Sequence, residues 1–269
     1  MTVPRILIIA GSDSGGGAGI QADIKTVTLL GGHAMTAITA ITAQNTLGVT
    51  AVHAVPPEMV IAQIDAVVSD IGVDAIKIGM IGSPATVEAV ADRLDEVDLV
   101  NVPVVFDPVM IATSGSRLAS EESIALFGRL MKRAAVSTPN LDELGALSGM
   151  SIVDVADIRK AVTHLMEVNG SGPILATGHQ MPRELVDRLF MEGWDIRMTG
   201  ERIDTIHDHG TGCTLASAIA TYLGFGVSLD AAVSRARDFV RAALLNAPGL
   251  GKGHGPMGHR ALIDGSRET

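Results

Sequence analysis

Short, continuous apolar runs recur along the chain, each ending in small or polar residues and followed by a segment of helical spacing. The first, residues 5–10 (RILIIA), has no polar alternation. That suits a strand covered on both faces, as in a parallel sheet. Further runs at residues 34–43, 74–78, 102–106, 136–138 and 173–176 predict five more strands. Between them, residues 20–30 read as a helix stopped by Gly31-Gly32. Pro57 opens a second helix, with Val60, Ile64, Val67, Val68 and Ile71 on one face. Ser83-Pro84 caps a third, with Val87, Val90, Ala91 and Leu94 inward, and Ser120 caps a fourth that runs to about Lys132. A short helix follows Pro139-Asn140, and residues 155–168 form another that ends at Asn169-Gly170. Residues 184–202 alternate loosely around Gly193-Trp194, which predicts antiparallel strands on a sheet edge. The last helix starts at Ser228, with Leu229, Val233, Ala236, Val240 and Leu244 inward. Residues 249–258 are glycine-rich and read as loose.

Strand and helix thus alternate about six times, with no internal repeat and no separating linker. The expectation is one α/β domain over residues 1–269, a mostly parallel sheet with helices on both faces. Composition adjusts this little. The chain of 269 residues is 47% hydrophobic but only 3% aromatic, so its core is aliphatic. A net charge of −10 argues against a nucleic-acid surface. One cysteine excludes an intramolecular disulfide framework and a multi-cysteine zinc site. No apolar run approaches the ~20 residues of a membrane span, and no secretory leader is visible, so the expected setting is cytoplasmic.

The chemistry sits where the strands end. Residues 11–19 (GSDSGGGAG) contain five glycines in nine positions, more than a simple connection needs. The dinucleotide frame Gly-x-Gly-x-x-Gly is broken by Asp13, and no Gly-Lys-Ser/Thr is present, so neither a Rossmann turn nor a P-loop is written here. Gln44-Asn45, Met80, Asp107-Pro108, Asn140 and Gly178 follow the other strands. Each has a bland reading, as turn former, core residue or cap. In a parallel sheet, however, all of them lie along one edge, where ligands bind. Asp23, in the first turns of the first helix, complements the helix dipole or faces a substrate. Asn140 and Glu143, three apart, share a helix face and either cap that helix or hold water around a divalent cation.

The hexad His209-Gly210-Thr211-Gly212-Cys213-Thr214 enters the small-residue run 215–220. It reads as a helix start with free N–H groups aimed at an anion, and the same field should favour a thiolate at Cys213. Taken together, 11–23, 42–46, 77–80, 107–110, 138–143, 209–214 and 253–256 resemble, in order and over essentially the whole chain, the signature of the hydroxymethylpyrimidine/phosphomethylpyrimidine kinases.

That resemblance implies a ribokinase-like three-layer fold and ATP-dependent phosphorylation of the thiamine pyrimidine precursor, first at its hydroxymethyl group and then on the monophosphate. It implies that Gln44 bonds the aminopyrimidine, that Gly11, Asp23 and Met80 line its pocket, and that Gly210, Thr211, Gly212 and Cys213 form an anion hole with Cys213 as proton acceptor. Asn140, Glu143, Thr177 and Gly178 would serve the nucleotide, and Mg²⁺ would sit near Asp107 and Glu143, largely through water. A homodimer is the expected assembly, with no nucleic-acid or membrane partner. Two departures stand out: Ala176 replaces a lysine common in the family, and His207-Asp208 replaces Asn-Thr before the hexad. Pyridoxal kinase, a non-catalytic pyrimidine-binding module and a cysteine hydrolase are the competing readings.

Overall fold

In the computed structural model, residues 3–181 and 183–264 are described. The strands are β1 (Arg5–Asp13), β2 (His33–Asn45), β3 (Gly48–Ala54), β4 (Ala75–Ile78), β5 (Val104–Phe106), β6 (Val136–Ser137), β7 (Ile174–Gln180), β8 (Glu184–Met191) and β9 (Trp194–Glu201). The helices are α1 (Gly19–Leu29), α2 (Pro57–Asp70), α3 (Pro84–Leu94), α4 (Glu121–Arg133), α5 (Leu141–Ser148), α6 (Val155–Asn169), α7 (Thr211–Gly224), α8 (Leu229–Leu245) and α9 (Ala261–Asp264). All strands join one sheet in the order β3-β2-β1-β4-β5-β6-β7-β8-β9. From β2 to β7 the pairing is parallel, and β3, β8 and β9 run antiparallel at the two edges.

The sheet separates two apolar cores. Leu7, Ile9, Ile76, Ile78, Val104 and Phe106 face α2 to α6, while Ile6, Ile8, Val105, Val136 and Leu175 face α1, α7 and α8. Alternate residues of one strand therefore serve opposite cores, which is why these strands are apolar throughout. Phe106 and Phe127 meet edge to face at 5.3 Å, an aromatic pair in the first core.

Helix ends follow their local chemistry. Ser83 and Ser120 cap α3 and α4 through bonds from Thr86 and Ser123 N–H. Asn140 and Asp154 form reciprocal capping boxes with Glu143 and Asp157. The helix faces expected from spacing are inward in α3, where all four residues are buried; in α2 only Val60 and Ile64 are, and Ile71 is exposed. Three expectations change. β1 does not turn at Gly11 but continues to Asp13, held by Ser12 and Asp13 pairing with Ile41 and Thr42 after a bulge. β3, an exposed edge strand, extends β2 into a hairpin that the pattern of apolar positions did not announce. Residues 249–258 are pinned rather than loose: Lys252 and Gly253 N–H donate to Thr46 Oγ1, and Pro256 bridges to His209.

Candidate active site

The carboxyl ends of the parallel strands open on a cleft of about 790 Å³. Gly11, Gln44, Met80, Asp107, Asn140, Glu143, Thr177 and Gly178 all line it, as do Gly210, Thr211, Gly212 and Cys213. The strand-end residues therefore meet in one place, as the parallel topology requires. Asp23 does not. It is fully buried beneath the cleft, bonded to Lys77 Nζ at 3.0 Å and Ser217 Oγ at 2.7 Å. Its acid serves a buried ion pair, so the pocket-lining role is not supported by this placement.

One wall is built by the hexad. α7 begins at Thr211 with Gly210 as its N-cap at φ +90, a left-handed conformation open to glycine. A Cβ on Gly210 would strike the Gly17 carbonyl, so the helix start is clamped onto the glycine-rich loop 14–18. Thr211 N–H donates to the Asp208 carbonyl and is thus committed within the protein. The first-turn donors without an internal helical partner by position are those of Gly212 and Cys213. Asp208 also holds His254 Nδ1 at 2.8 Å, tying the departure at 207–208 to the Gly253–Pro256 segment.

Beneath this wall lies a compact charge cluster. Lys77, fully buried, stands 3.0 Å from Asp23 and 4.0 Å from Asp107. Burial disfavours its charge, but Asp23, Cys213 and Asp107 outweigh that and push its pKa up, so it remains a cation. Asp107 is pushed up to about 6, by burial and by Asp23 against the opposing pull of Lys77 and the Cys213 thiol. Its Oδ2 has no hydrogen-bond partner. Glu143 is pushed up to about 8 by burial and by Asp107, although the N–H groups of Asn140 and Met110 oppose this. Cys213 departs from expectation. Burial, Asp107 and Asp23 outweigh Lys77 and push the thiol up to about 12. The helix-start field does not prevail: burial first, and then the carboxylates of Asp107 and Asp23, hold the half-buried thiol above its ordinary range.

Another part of the lining combines the apolar Met80 with polar groups from β1 and β2. Met80 is 8% exposed, and a side chain on Gly11 would press on its sulfur. The Gln44 amide stands 3.2 Å from Thr42 Oγ1 and 3.2 Å from His209 Nε2. Asp13 holds the glycine-rich loop by accepting N–H groups from Gly15, Gly17 and Ala18. Its carboxyl lies below the usual range: burial opposes this, but the His209 bond and those N–H groups prevail. His209 and Lys77, central to this geometry, were read in the sequence only as members of their motifs, without these roles. Their sequence signal was position, beside Gly210 and before Gly79-Met80.

At the far end, Asn140 and Glu143 are spent on the capping box, with both bonds at 2.9 Å. Thr177 N–H donates to the Pro139 carbonyl, and Gly178, at φ +81, donates to Asp187. Ala176 is 2% exposed and packs into the core. Among the described residues, no group of three or more His, Cys, Asp or Glu is arranged to hold a metal ion. The orphaned Asp107 Oδ2 and the nearby Glu143 are hard oxygen donors that suit Mg²⁺ as a partly hydrated ion. Among the described residues, no helix is long and apolar enough to cross a membrane.

Comparison with known proteins gives the family. Residues 13–258 match the family described as phosphomethylpyrimidine kinase. The hydroxymethylpyrimidine/phosphomethylpyrimidine kinase of Bacillus subtilis is 43% identical over 271 residues, covering 100% of this chain and 99% of its own. The thiamine biosynthesis bifunctional protein ThiED of Geobacter sulfurreducens is 46% identical over 264 residues, 98% of this chain, and this chain spans only 54% of that longer protein. An ADP complex of Bacillus subtilis pyridoxal kinase superposes with a TM-score of 0.88 at 33% identity, covering 97% of this chain and 99% of that one.

Proposed function

The chain belongs to the phosphomethylpyrimidine kinase family, and we propose that it transfers the terminal phosphoryl group of ATP to hydroxymethylpyrimidine and then to its monophosphate, for thiamine synthesis. The observation that carries this reading is the shared cleft: one cavity brings the Gln44 amide and the start of α7, with its uncommitted N–H groups, together. Phosphoryl transfer asks for that combination, since positioning and charge stabilisation supply most of the catalysis.

In this reading, Gln44 bonds the aminopyrimidine, while Gly11 and Met80, which adjoin each other, line one side of its pocket. Asp23 acts one layer below, holding Lys77 as a cation. The N–H groups of Gly212 and Cys213 face the transferring phosphoryl, with Gly210 and Thr211 shaping their loop. Cys213 receives the hydroxyl proton as its own passes to the neighbouring Asp107, whose Oδ2 has no hydrogen-bond partner. Asn140, Thr177 and Gly178 line the nucleotide end. Mg²⁺, when bound, neutralises phosphate charge, and Asp107 and Glu143 reach it through water. The cytoplasm and a homodimer complete the proposal, with residues 1–269 acting as one domain.

Product analysis by mass spectrometry with Mg-ATP and hydroxymethylpyrimidine tests it. Monophosphate followed by diphosphate is expected, and tight pyrimidine binding without turnover would refute it. The similarity to a pyridoxal kinase supports a second reading, in which pyridoxal is also phosphorylated. Pyridoxal turned over clearly faster than the pyrimidine would reverse the order.

A further inference from the structure

His209 is the meeting point of four segments. Its Nε2 lies 3.0 Å from Asp13 Oδ2 and 3.2 Å from the Gln44 amide, and its Nδ1 lies 3.2 Å from Thr113 Oγ1. Its backbone N–H donates to the Gly255 carbonyl. The ring is 7% exposed and packs against Gly17, where a Cβ would strike it.

Protons can be counted through this network. Asp13 is a carboxylate whose Oδ2 already accepts from Gly17 at 3.0 Å and Ala18 at 2.8 Å. A further contact at 3.0 Å requires a donor, so His209 Nε2 carries a hydrogen. The end of the Gln44 amide facing that hydrogen must then be the acceptor, Oε1. The other end gives the same answer independently. Thr42 has one hydroxyl proton and donates it to the Ser12 carbonyl at 2.9 Å. The structure places Oε1 3.2 Å from Thr42 Oγ1 and Nε2 toward His209; with the Thr42 proton committed to Ser12, the amide is turned over so that Nε2 donates to Thr42. Drawn the other way, with Nε2 toward His209, the amide would oppose two donors there and two lone pairs at Thr42. The two orientations occupy the same space, and proton count separates them.

We propose that His209 is a positioning residue that fixes the hydrogen-bonding polarity of Gln44, and thereby selects an amino group beside a ring nitrogen over an oxo group beside a ring N–H. The inference rests on the reading of Gln44 as the group that faces the pyrimidine. An amide held in one orientation offers one lone pair and one N–H at fixed points. An aminopyrimidine presents its donor outside the ring and its acceptor within it, and the oxo analogue presents the reverse. A ring held with its hydroxymethyl group toward Cys213 can match only one of them. Releasing the amide lets it turn over and accept both.

The test is the ratio of kcat/KM for hydroxymethylpyrimidine to that for the analogue whose amino group is replaced by oxygen, with Mg-ATP and the full chain. His209→Ala is expected to lower this ratio by about 10-fold or more, mainly through KM, since mispaired buried polar groups carry this size of discrimination. His209→Gln, which brings an N–H near the Nε2 position, should keep most of the ratio. An active wild type whose ratio is unchanged in His209→Ala, with both rates reduced alike, overturns the proposal. A wild type that turns over neither pyrimidine refutes the substrate reading and the proposal with it. Nitrogen-15 NMR of the wild-type imidazole reads the same point without a variant: a hydrogen on Nε2 is expected, and a bare Nε2 overturns the proposal.

Discussion

Replacing Lys77 by methionine isolates what the buried charge cluster contributes. Lys77 and Asp23 are both wholly excluded from solvent and 3.0 Å apart, with Asp107 at 4.0 Å from the same ammonium. Methionine fills nearly the same volume, so little cavity is left and the perturbation is electrostatic. Removing one partner leaves the other charge buried and uncompensated, which costs about 3–5 kcal/mol. For a chain of this size that lowers Tm by roughly 6–20 °C. Ser217 Oγ, at 2.7 Å, still satisfies Asp23 Oδ1, which places the loss toward the lower end.

Urea unfolding followed by circular dichroism, at several pH values, measures it. The carboxyls of Asp23 and Asp107 already lie above their ordinary range, and without the ammonium both rise further. A raised folded-state carboxyl pKa means the native state holds protons that the unfolded state releases, so stability falls as pH rises. The deficit of Lys77→Met should therefore shrink from pH 8 to pH 5. Adding Asp23→Asn removes the stranded charge and should recover part of the loss, giving a coupling of about 1–3 kcal/mol. A deficit under about 1 kcal/mol, or one independent of pH, would refute the reasoning.

Cys213→Ala should lower kcat by at least about 10-fold with little change in pyrimidine affinity, and unchanged turnover removes the proton-transfer role. Gln44→Ala should weaken pyrimidine binding by roughly 10-fold or more while sparing nucleotide binding, which calorimetry measures. Gly210→Ala meets both a left-handed backbone and the Gly17 carbonyl, so a stability loss of about 2–4 kcal/mol and collapse of kcat are expected in parallel melts and assays. His259 is pushed down to about 4, chiefly by burial and secondarily by Lys25. Its neutral form is the native one, so stability present above pH 6.5 should fall as pH drops toward 4. Relative to His259→Gln, the wild type should lose about 2–3 kcal/mol over that window; equal slopes in urea titrations would contradict the burial argument.

The legible part of the fold was the part set by local patterning. Apolar runs such as Ile6–Ile9 are buried on both faces, so sequence and environment agree along the whole strand. Their ends carried the site because parallel topology gathers them, and this holds for Gln44, Met80, Asp107 and Gly178. β3 was missed because its residues are mostly exposed, leaving no alternation to read. Asp23 and Cys213 were misjudged for a different reason. Each looked like a residue acting through a helix start, but burial raises both, and the charges that adjust them, Lys77 and Asp107, stand 54 and 106 positions from Asp23 and Cys213. Long-range charge compensation leaves no periodic trace. Residues 249–258 likewise looked loose because their hold is a set of bonds to Thr46 and His209.

Ala176 shows how a missing charge can be reconciled with the same chemistry. A lysine there was expected to meet the nucleotide phosphates, yet residue 176 is buried in the same apolar core as Phe190. The next residues present backbone instead. Gly178 N–H is taken by Asp187 Oδ1 at 2.8 Å, and Asp187 Oδ2 holds Arg237 Nε at 2.7 Å. Arg237, from α8, lines the cleft. Its Nε donates to the buried Asp187 and its Nη2 to the Met198 carbonyl, which leaves the other guanidinium donors uncommitted. The cation that the fold sets beside Gly178 therefore comes from α8 and not from β7. Electrostatic support at that end depends on where the charge stands relative to the cleft, not on which strand carries it. The same reasoning explains how a protein of net charge −10 can receive a polyphosphate. In the proposed function, the backbone N–H groups at the start of α7 and the cleft-lining Arg237 would act at short range, while the acidic surface acts through screened solvent beyond about 10 Å.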